Sequence, residues 1–225
     1  MHDYDWSYLI NDGQDVSYDD GIYTVKKGID VSYHQGEIDW NEVASDGIEF
    51  AILRIGYRGY GSEGTLNEDV KFREYIDEAH AAGISVGVYF FSQAISEEEA
   101  EEEAQFVLDI LADYEIELPV IYDPETISDD DARTDDLTGE QATKNTIAFC
   151  DYIEEAGYKP MVYSNMVWEA DYFDMSELTD YEFWYADYEK YPQTPYAFSM
   201  WQYTEKGSVA GISGRVDLDV MFVEK

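Results

Sequence analysis

The chain has 225 residues, enough for one sizeable domain with its own core or at most two small ones. A hydrophobic content of 45% with 16% aromatic residues argues against disorder despite the charge. The net charge of −38 repels nucleic acid and anionic membranes, which excludes both as partners.

Residues 1–23 are acidic and aromatic with little periodicity, and read as an arm or linker remnant ahead of a main domain at 24–225. Apolar runs of strand type then recur at 28–33, 50–57, 85–92, 118–123, 159–164, 183–188, 199–203 and 215–223. Helical patterns lie between several of them. The first spans 67–82 and is closed by Gly83. The second spans 96–114, with Ser96 and Glu99 as a capping box and the acidic run Glu97–Glu103 read as a solvated surface at the positive end of the helix dipole. The third spans 138–156, with Thr138 and Gln141 as a second box and Gly157 as the stop. The last gaps, about 11 residues each, are too short for a helical crossover. The pattern is α/β: about five βα units followed by three strands, an irregular TIM-like β/α barrel whose later part is not uniformly parallel.

The single cysteine, Cys150, cannot form a disulfide within the chain and reads as a buried structural thiol on an apolar helix face. No run is apolar for long enough to span a bilayer, no signal peptide is evident, and a monomer is the default expectation.

The most informative stretch is Leu118-Pro119-Val120-Ile121-Tyr122-Asp123-Pro124-Glu125. It is a strand that ends in two carboxylates spaced i, i+2. Alternation points both the same way, with Cα atoms roughly 6.5–7 Å apart. Like charges that close raise one pKa and leave an acid able to donate a proton near neutrality, as glycosidic cleavage requires. An acidic turn after a buried strand is the plainer alternative. Asp30 sits in an apolar first strand, where a charge needs a partner or a function. Asp217 and Asp219 share one face of the last strand. First and last strands are neighbours in a closed barrel, so Asp30 and Asp217 are expected to approach each other. An ion pair of one of these acids with Arg54 or Arg215 is the alternative.

These pieces resemble the glycoside hydrolase family 25 lysozymes, the Chalaropsis-type N-acetylmuramidases. The resemblance is carried by Gly28-Ile29-Asp30-Val31-Ser32 with Gln35-Gly36, Ile38-Asp39-Trp40, and Phe50-Ala51-Ile52-Leu53-Arg54-Ile55-Gly56-Tyr57-Arg58-Gly59. Gly87-Val88-Tyr89-Phe90-Phe91-Ser92, Asp123-Pro124-Glu125, Trp184-Tyr185-Ala186-Asp187-Tyr188, Trp201-Gln202-Tyr203-Thr204 and Val216-Asp217-Leu218 follow in family order, over roughly residues 27–223. The resemblance implies an irregular β/α barrel as catalytic domain and cleavage of the β-1,4 bond between N-acetylmuramic acid and N-acetylglucosamine in peptidoglycan. It implies Glu125 as general acid, Asp123 as the partner that stabilises positive charge or orients the 2-acetamido group, and Asp30 and Asp217 as further acids of the pocket. It also implies a secreted or cell-wall-associated protein. Whether a protein carboxylate or the substrate's acetamide attacks the anomeric carbon stays open on spacing alone.

Aromatic residues at strand ends are the candidate sugar platforms: Tyr57, Tyr89, Phe91, Tyr122, Tyr163, Trp184 and Trp201, about half of which are expected only to pack the barrel wall. No cofactor or metal is expected, since His2, His34 and His80 lack ligand spacing. Two other readings compete: a hexosaminidase acting on chitin-like glycans, and a catalytically silent glycan-binding barrel.

Overall fold

The computed structural model describes residues 2–127 and 130–225, so Met1 of the expected arm lies outside the described residues. The elements run β1 (Leu9–Asn11), β2 (Val16–Tyr18), β3 (Tyr23–Val31), α1 (Trp40–Ser45), β4 (Phe50–Arg58), β5 (Leu66–Glu68), α2 (Phe72–Ala81) and β6 (Ser85–Ser92). They continue with α3 (Glu97–Leu111), β7 (Val120–Pro124), α4 (Gly139–Glu155), β8 (Pro160–Asn165), β9 (Glu182–Ala186), β10 (Met200–Gly207) and β11 (Val216–Glu224). Each apolar run singled out in the sequence is a strand. The chain forms two compact units: 1–53 with 71–86 and 183–225, and 54–70 with 87–182.

In the first unit the strand order is β4-β3-β11-β10-β9. Strand β3 runs parallel to β4 and β9 parallel to β10, while β11 is antiparallel to both of its neighbours, as expected for the later part. Gly28 permits the close approach of β3 to β4, because a Cβ there would lie 2.2 Å from the Phe50 ring. Ile29, Val31, Phe50, Ile52, Leu218 and Val220 are buried on these strands, each contributing about 1.5–3 kcal/mol of apolar transfer. Helix α2 buries Phe72, Tyr75, Ile76 and Ala79, a single stripe at helical spacing. It stops at Ala82 and Gly83, whose φ of 80° suits glycine.

The N-terminal arm has structure of its own. β1 and β2 form an antiparallel hairpin whose turn is held by Asp12 Oδ1, which accepts from the backbone N–H of Gln14 and Asp15. Tyr18 is buried and its ring meets Phe222 of β11 edge-on, while Tyr4 stacks on Phe222 with centroids 4.2 Å apart.

In the second unit the order is β8-β7-β6-β4-β5, with β6, β7 and β8 parallel and β5 antiparallel to β4. This corrects the helix expected from residue 67. Asn67 and Glu68 pair with Tyr57 and Gly56, so the ladder claims them and α2 starts only at Phe72. The acidic run is also corrected at one position. Glu103 falls on the core-facing stripe of α3 with Ala100, Ala104, Val107 and Leu111, and is fully enclosed against Arg58. Both capping boxes are half formed. Ser96 accepts from Glu99 N–H, but the Glu99 carboxylate accepts from Ile95 N–H instead; Thr138 accepts from Gln141 N–H while the Gln141 amide donates to Asn145. After β8 the chain makes a π-type turn at Trp168–Tyr172 in place of an α-helix, so the fifth βα unit is truncated. Cys150 is buried within α4, as its apolar setting suggests.

Candidate active site

Strand β7 carries the carboxylate pair. Register aligns Phe91 with Asp123 and Tyr89 with Ile121 across the parallel β6–β7 ladder, so Tyr89 and Phe91 share the Asp123 face. Tyr122 aligns with Phe90 and Val162 on the opposite face. Asp123 is buried, and its Oδ1 has no hydrogen-bond partner among the described residues. Burial pushes its carboxyl well above the ordinary range, the negative charge of Glu125 pushes further, and the Arg54 guanidinium opposes both. Arg54 is itself oriented, with Nε donating to buried Asp69 at 2.8 Å and its guanidinium carbon 5.1 Å from the Tyr57 ring centroid.

Glu125 lies just past the end of β7 and is half-buried. Its main chain is pinned, because Gln93 Nε2 donates to the Glu125 carbonyl at 2.6 Å while Gln93 Oε1 accepts from Thr134 at 2.8 Å. Glu125 lines a pocket of this unit with Ser92, Thr134, Trp168 and Tyr172. Of the candidate platforms, Tyr57, Tyr89 and Phe91 are half-exposed, and Tyr163 is nearly covered. Tyr122 is enclosed, its ring against Phe149 and its hydroxyl 2.9 Å from Ser92 Oγ. It faces away from Asp123.

The first unit holds the remaining acids. Asp217 on β11 is the direct cross-strand partner of Asp30 on β3, as the strand pattern led one to expect. Asp30 Oδ2 accepts from Gln202 Nε2 at 2.7 Å, and Gln202 Oε1 accepts from the Tyr188 hydroxyl at 2.8 Å. Burial pushes Asp217 up to about 6, with Glu205 adding to the effect. Asp219 is fully buried and accepts from Trp184 Nε1 at 2.8 Å. Trp184 and Trp201 are wholly enclosed, and Trp201 Nε1 donates to the Asp187 carbonyl at 2.7 Å.

Sequence reasoning weighed Arg54 only as an ion-pair partner for the first-unit acids, and the structure pairs it with Asp69. It did not single out Gln93 or Gln202. Gln93 directly follows the β6 motif and Gln202 lies inside the Trp201-Gln202-Tyr203-Thr204 motif, both as neutral amides that nothing local distinguishes from packing residues.

Residues 29–212 match glycosyl hydrolases family 25. The autolytic lysozyme of Clostridium acetobutylicum is 27% identical over 194 residues, covering 86% of this chain and 55% of that protein. The modular autolysin LytC of Streptococcus pneumoniae, solved in complex with a synthetic peptidoglycan ligand, superposes with a TM-score of 0.76 at 28% identity, over 88% of this chain and 47% of its own. The bacterial lysozyme from Streptomyces coelicolor gives a TM-score of 0.68 at 25% identity, over 86% of this chain and 90% of its own. The chain thus spans about half the length of the first two. These likenesses bear out the expected fold class, α/β of the irregular β/α-barrel type.

Proposed function

The chain belongs to family 25 of the glycosyl hydrolases, and from that membership we propose that it is a muramidase, cleaving the β-1,4 bond from N-acetylmuramic acid to N-acetylglucosamine in peptidoglycan. The observation that carries the reading is the Asp123–Glu125 pair at the end of β7: one carboxyl is buried and drawn toward its neutral form, the other half-open beside a pocket. The two titrate as a unit, so a proton retained by burial is available to the member that reaches the substrate. That member is Glu125. It protonates the glycosidic oxygen as the bond from the anomeric carbon to that oxygen breaks.

With the shared proton on Glu125, Asp123 is left as an enclosed carboxylate that can accept from the N–H of the substrate's 2-acetamido group. This supports attack by the oxygen of the substrate's own 2-acetamido group, with Asp123 holding that group in place, followed by water. Asp30 and Asp217 are assigned as further acids of the reaction by their match to the family motifs. Tyr57, Tyr89 and Phe91 are the side chains with ring surface left for sugar. The relatives' cell-wall chemistry supports a place outside the cell or at its wall. Among the described residues no helix is long and apolar enough to cross a membrane.

Glu125→Gln tests the assignment. It should abolish turnover of purified peptidoglycan while glycan binding survives, and near-parental rates would remove Glu125 as the acid.

A further inference from the structure

Glu125 lies beyond the ladders that hold β7. The β6 register ends at Ser92 with Pro124, and the β8 register ends at Tyr122 with Val162. A side chain takes over from there. Gln93, the first residue after β6, is 1% exposed. Its Nε2 donates to the Glu125 carbonyl at 2.6 Å and to the Ser92 carbonyl at 3.0 Å, while Oε1 accepts from Thr134 Oγ1 at 2.8 Å. Two carbonyl acceptors at one end and a hydroxyl donor at the other call for an amide. A carboxylate would set oxygen against oxygen, and an apolar side chain would strip both ends of their partner.

The groups on either side of this amide are anchored in turn. The carbonyl of Ala94, next in the chain to Gln93, accepts from buried Asn145 of α4 at 2.9 Å. Arg133, beside Thr134, donates from its main chain to the Tyr60 carbonyl at 2.9 Å and from Nη2 to Glu99 Oε1 of α3 at 2.6 Å. The main chain of Glu125 is therefore tied to α3, to α4 and to the turn that bears Thr134, and every tie passes through Gln93. A general acid works within about 2.6–3.2 Å of the oxygen it protonates, and a displacement of about 1 Å costs on the order of 100-fold in rate.

We propose that Gln93 is a positioning residue for the general acid: its side-chain amide extends the β6 edge one residue past the ladder and, braced by the Thr134 hydroxyl, fixes the main chain from which Glu125 reaches the glycosidic oxygen. The role rests on the reading of Glu125 as that acid.

A misplaced acid has a signature that a loosened fold lacks. An aryloxide departs without a proton, so a nitrophenyl β-glycoside of N-acetylglucosaminyl-N-acetylmuramic acid needs the acid far less than peptidoglycan does. Its kcat/KM reports aryloxide departure alone. Gln93→Glu should lower kcat on peptidoglycan on the order of 100-fold with KM little changed, and should keep most of kcat/KM on the aryl glycoside. Thr134→Val tests the same link at a half-buried hydroxyl. It should cost about tenfold on peptidoglycan, spare the aryl glycoside, and be largely reversed by Thr134→Ser. Equal losses on both substrates, or parental rates on peptidoglycan in both Gln93→Glu and Thr134→Val, would overturn the positioning role. The reading beneath it is checked separately. Glu125→Gln should itself spare the aryl glycoside, and if it impaired both substrates alike, or neither, Glu125 would not be the acid and Gln93 would have nothing to position.

Discussion

Arg58 on β4 is locked against Glu103 on α3: Nε donates to Oε1 at 2.7 Å, and both side chains are buried. Nη1 donates to the Gly64 carbonyl, Nη2 to the Glu99 carbonyl and, at 3.3 Å, to Glu102 Oε2, and Glu103 Oε2 accepts from Ser92 Oγ at 2.6 Å. Ser92 in turn touches the Tyr122 hydroxyl, so the network reaches the back of the strand that carries Asp123. Removing the acid alone leaves an enclosed cation. Glu103→Leu should therefore cost about 3–5 kcal/mol in urea unfolding, and a double Arg58→Met, Glu103→Leu variant should recover most of it. Equal losses in the single and double variants would show that the pair is not the cause.

Stability should be higher in mild acid than above neutrality. Burial pushes Asp217 up to about 6 in the folded chain, and Asp123 and Asp219 are also raised by burial. Each has a folded value above its unfolded one, so its contribution is complete below the unfolded value and is lost as pH rises through the folded one. For Asp217 the effect is at most about 3 kcal/mol. A melting temperature near pH 5 that exceeds the one near pH 8, in salt high enough to screen the surface charge, is the expected result. Asp217→Asn should narrow the gap. A melting temperature that climbs steadily over that range would contradict the burial of these acids.

The arm should matter to stability. Tyr18 is buried against Phe222, and Tyr203 donates from its hydroxyl to the Gln14 carbonyl. Tyr18→Ala should cost about 3 kcal/mol, as truncation of a buried aromatic does. An unchanged denaturation midpoint would mean that the hairpin is not docked in solution.

Salt should help before it hinders. A chain of net charge −38 is repelled by anionic wall polymers, so activity on whole walls should rise with moderate salt or acidity and then fall. A steady decline from the lowest ionic strength would count against electrostatic repulsion as the limiting step.

How far the sequence was readable depended on whether local pattern or tertiary pairing decided a position. Strand β7 and its two carboxylates, and the β11 face bearing Asp217 and Asp219, follow from apolar runs and a period of two. The same alternation already turned Tyr122 away from Asp123, a signal that the platform reading passed over. The Asp12-Gly13 turn between Leu9–Asn11 and Val16–Tyr18 was likewise visible, and an overall lack of periodicity hid it. Helix α1, at six residues, is too short to register as a period despite its Asp39 cap. The β5 pairing was not legible at all, because residues 67–68 carry a helical pattern and only the β4 edge makes them a strand. Enclosure of Trp184 and Trp201 depends on neighbours from distant parts of the chain, and motif spacing does not report it.

The most direct test of the account is mass spectrometry of borohydride-reduced fragments released from purified peptidoglycan, with the Glu125→Gln variant as control. Fragments ending in reduced N-acetylmuramic acid, absent with the variant, are the predicted result. Fragments ending in reduced N-acetylglucosamine would contradict the muramidase reading and make the chain a glucosaminidase. No fragments at any pH or salt, with glycan binding intact, would make it a silent binding barrel.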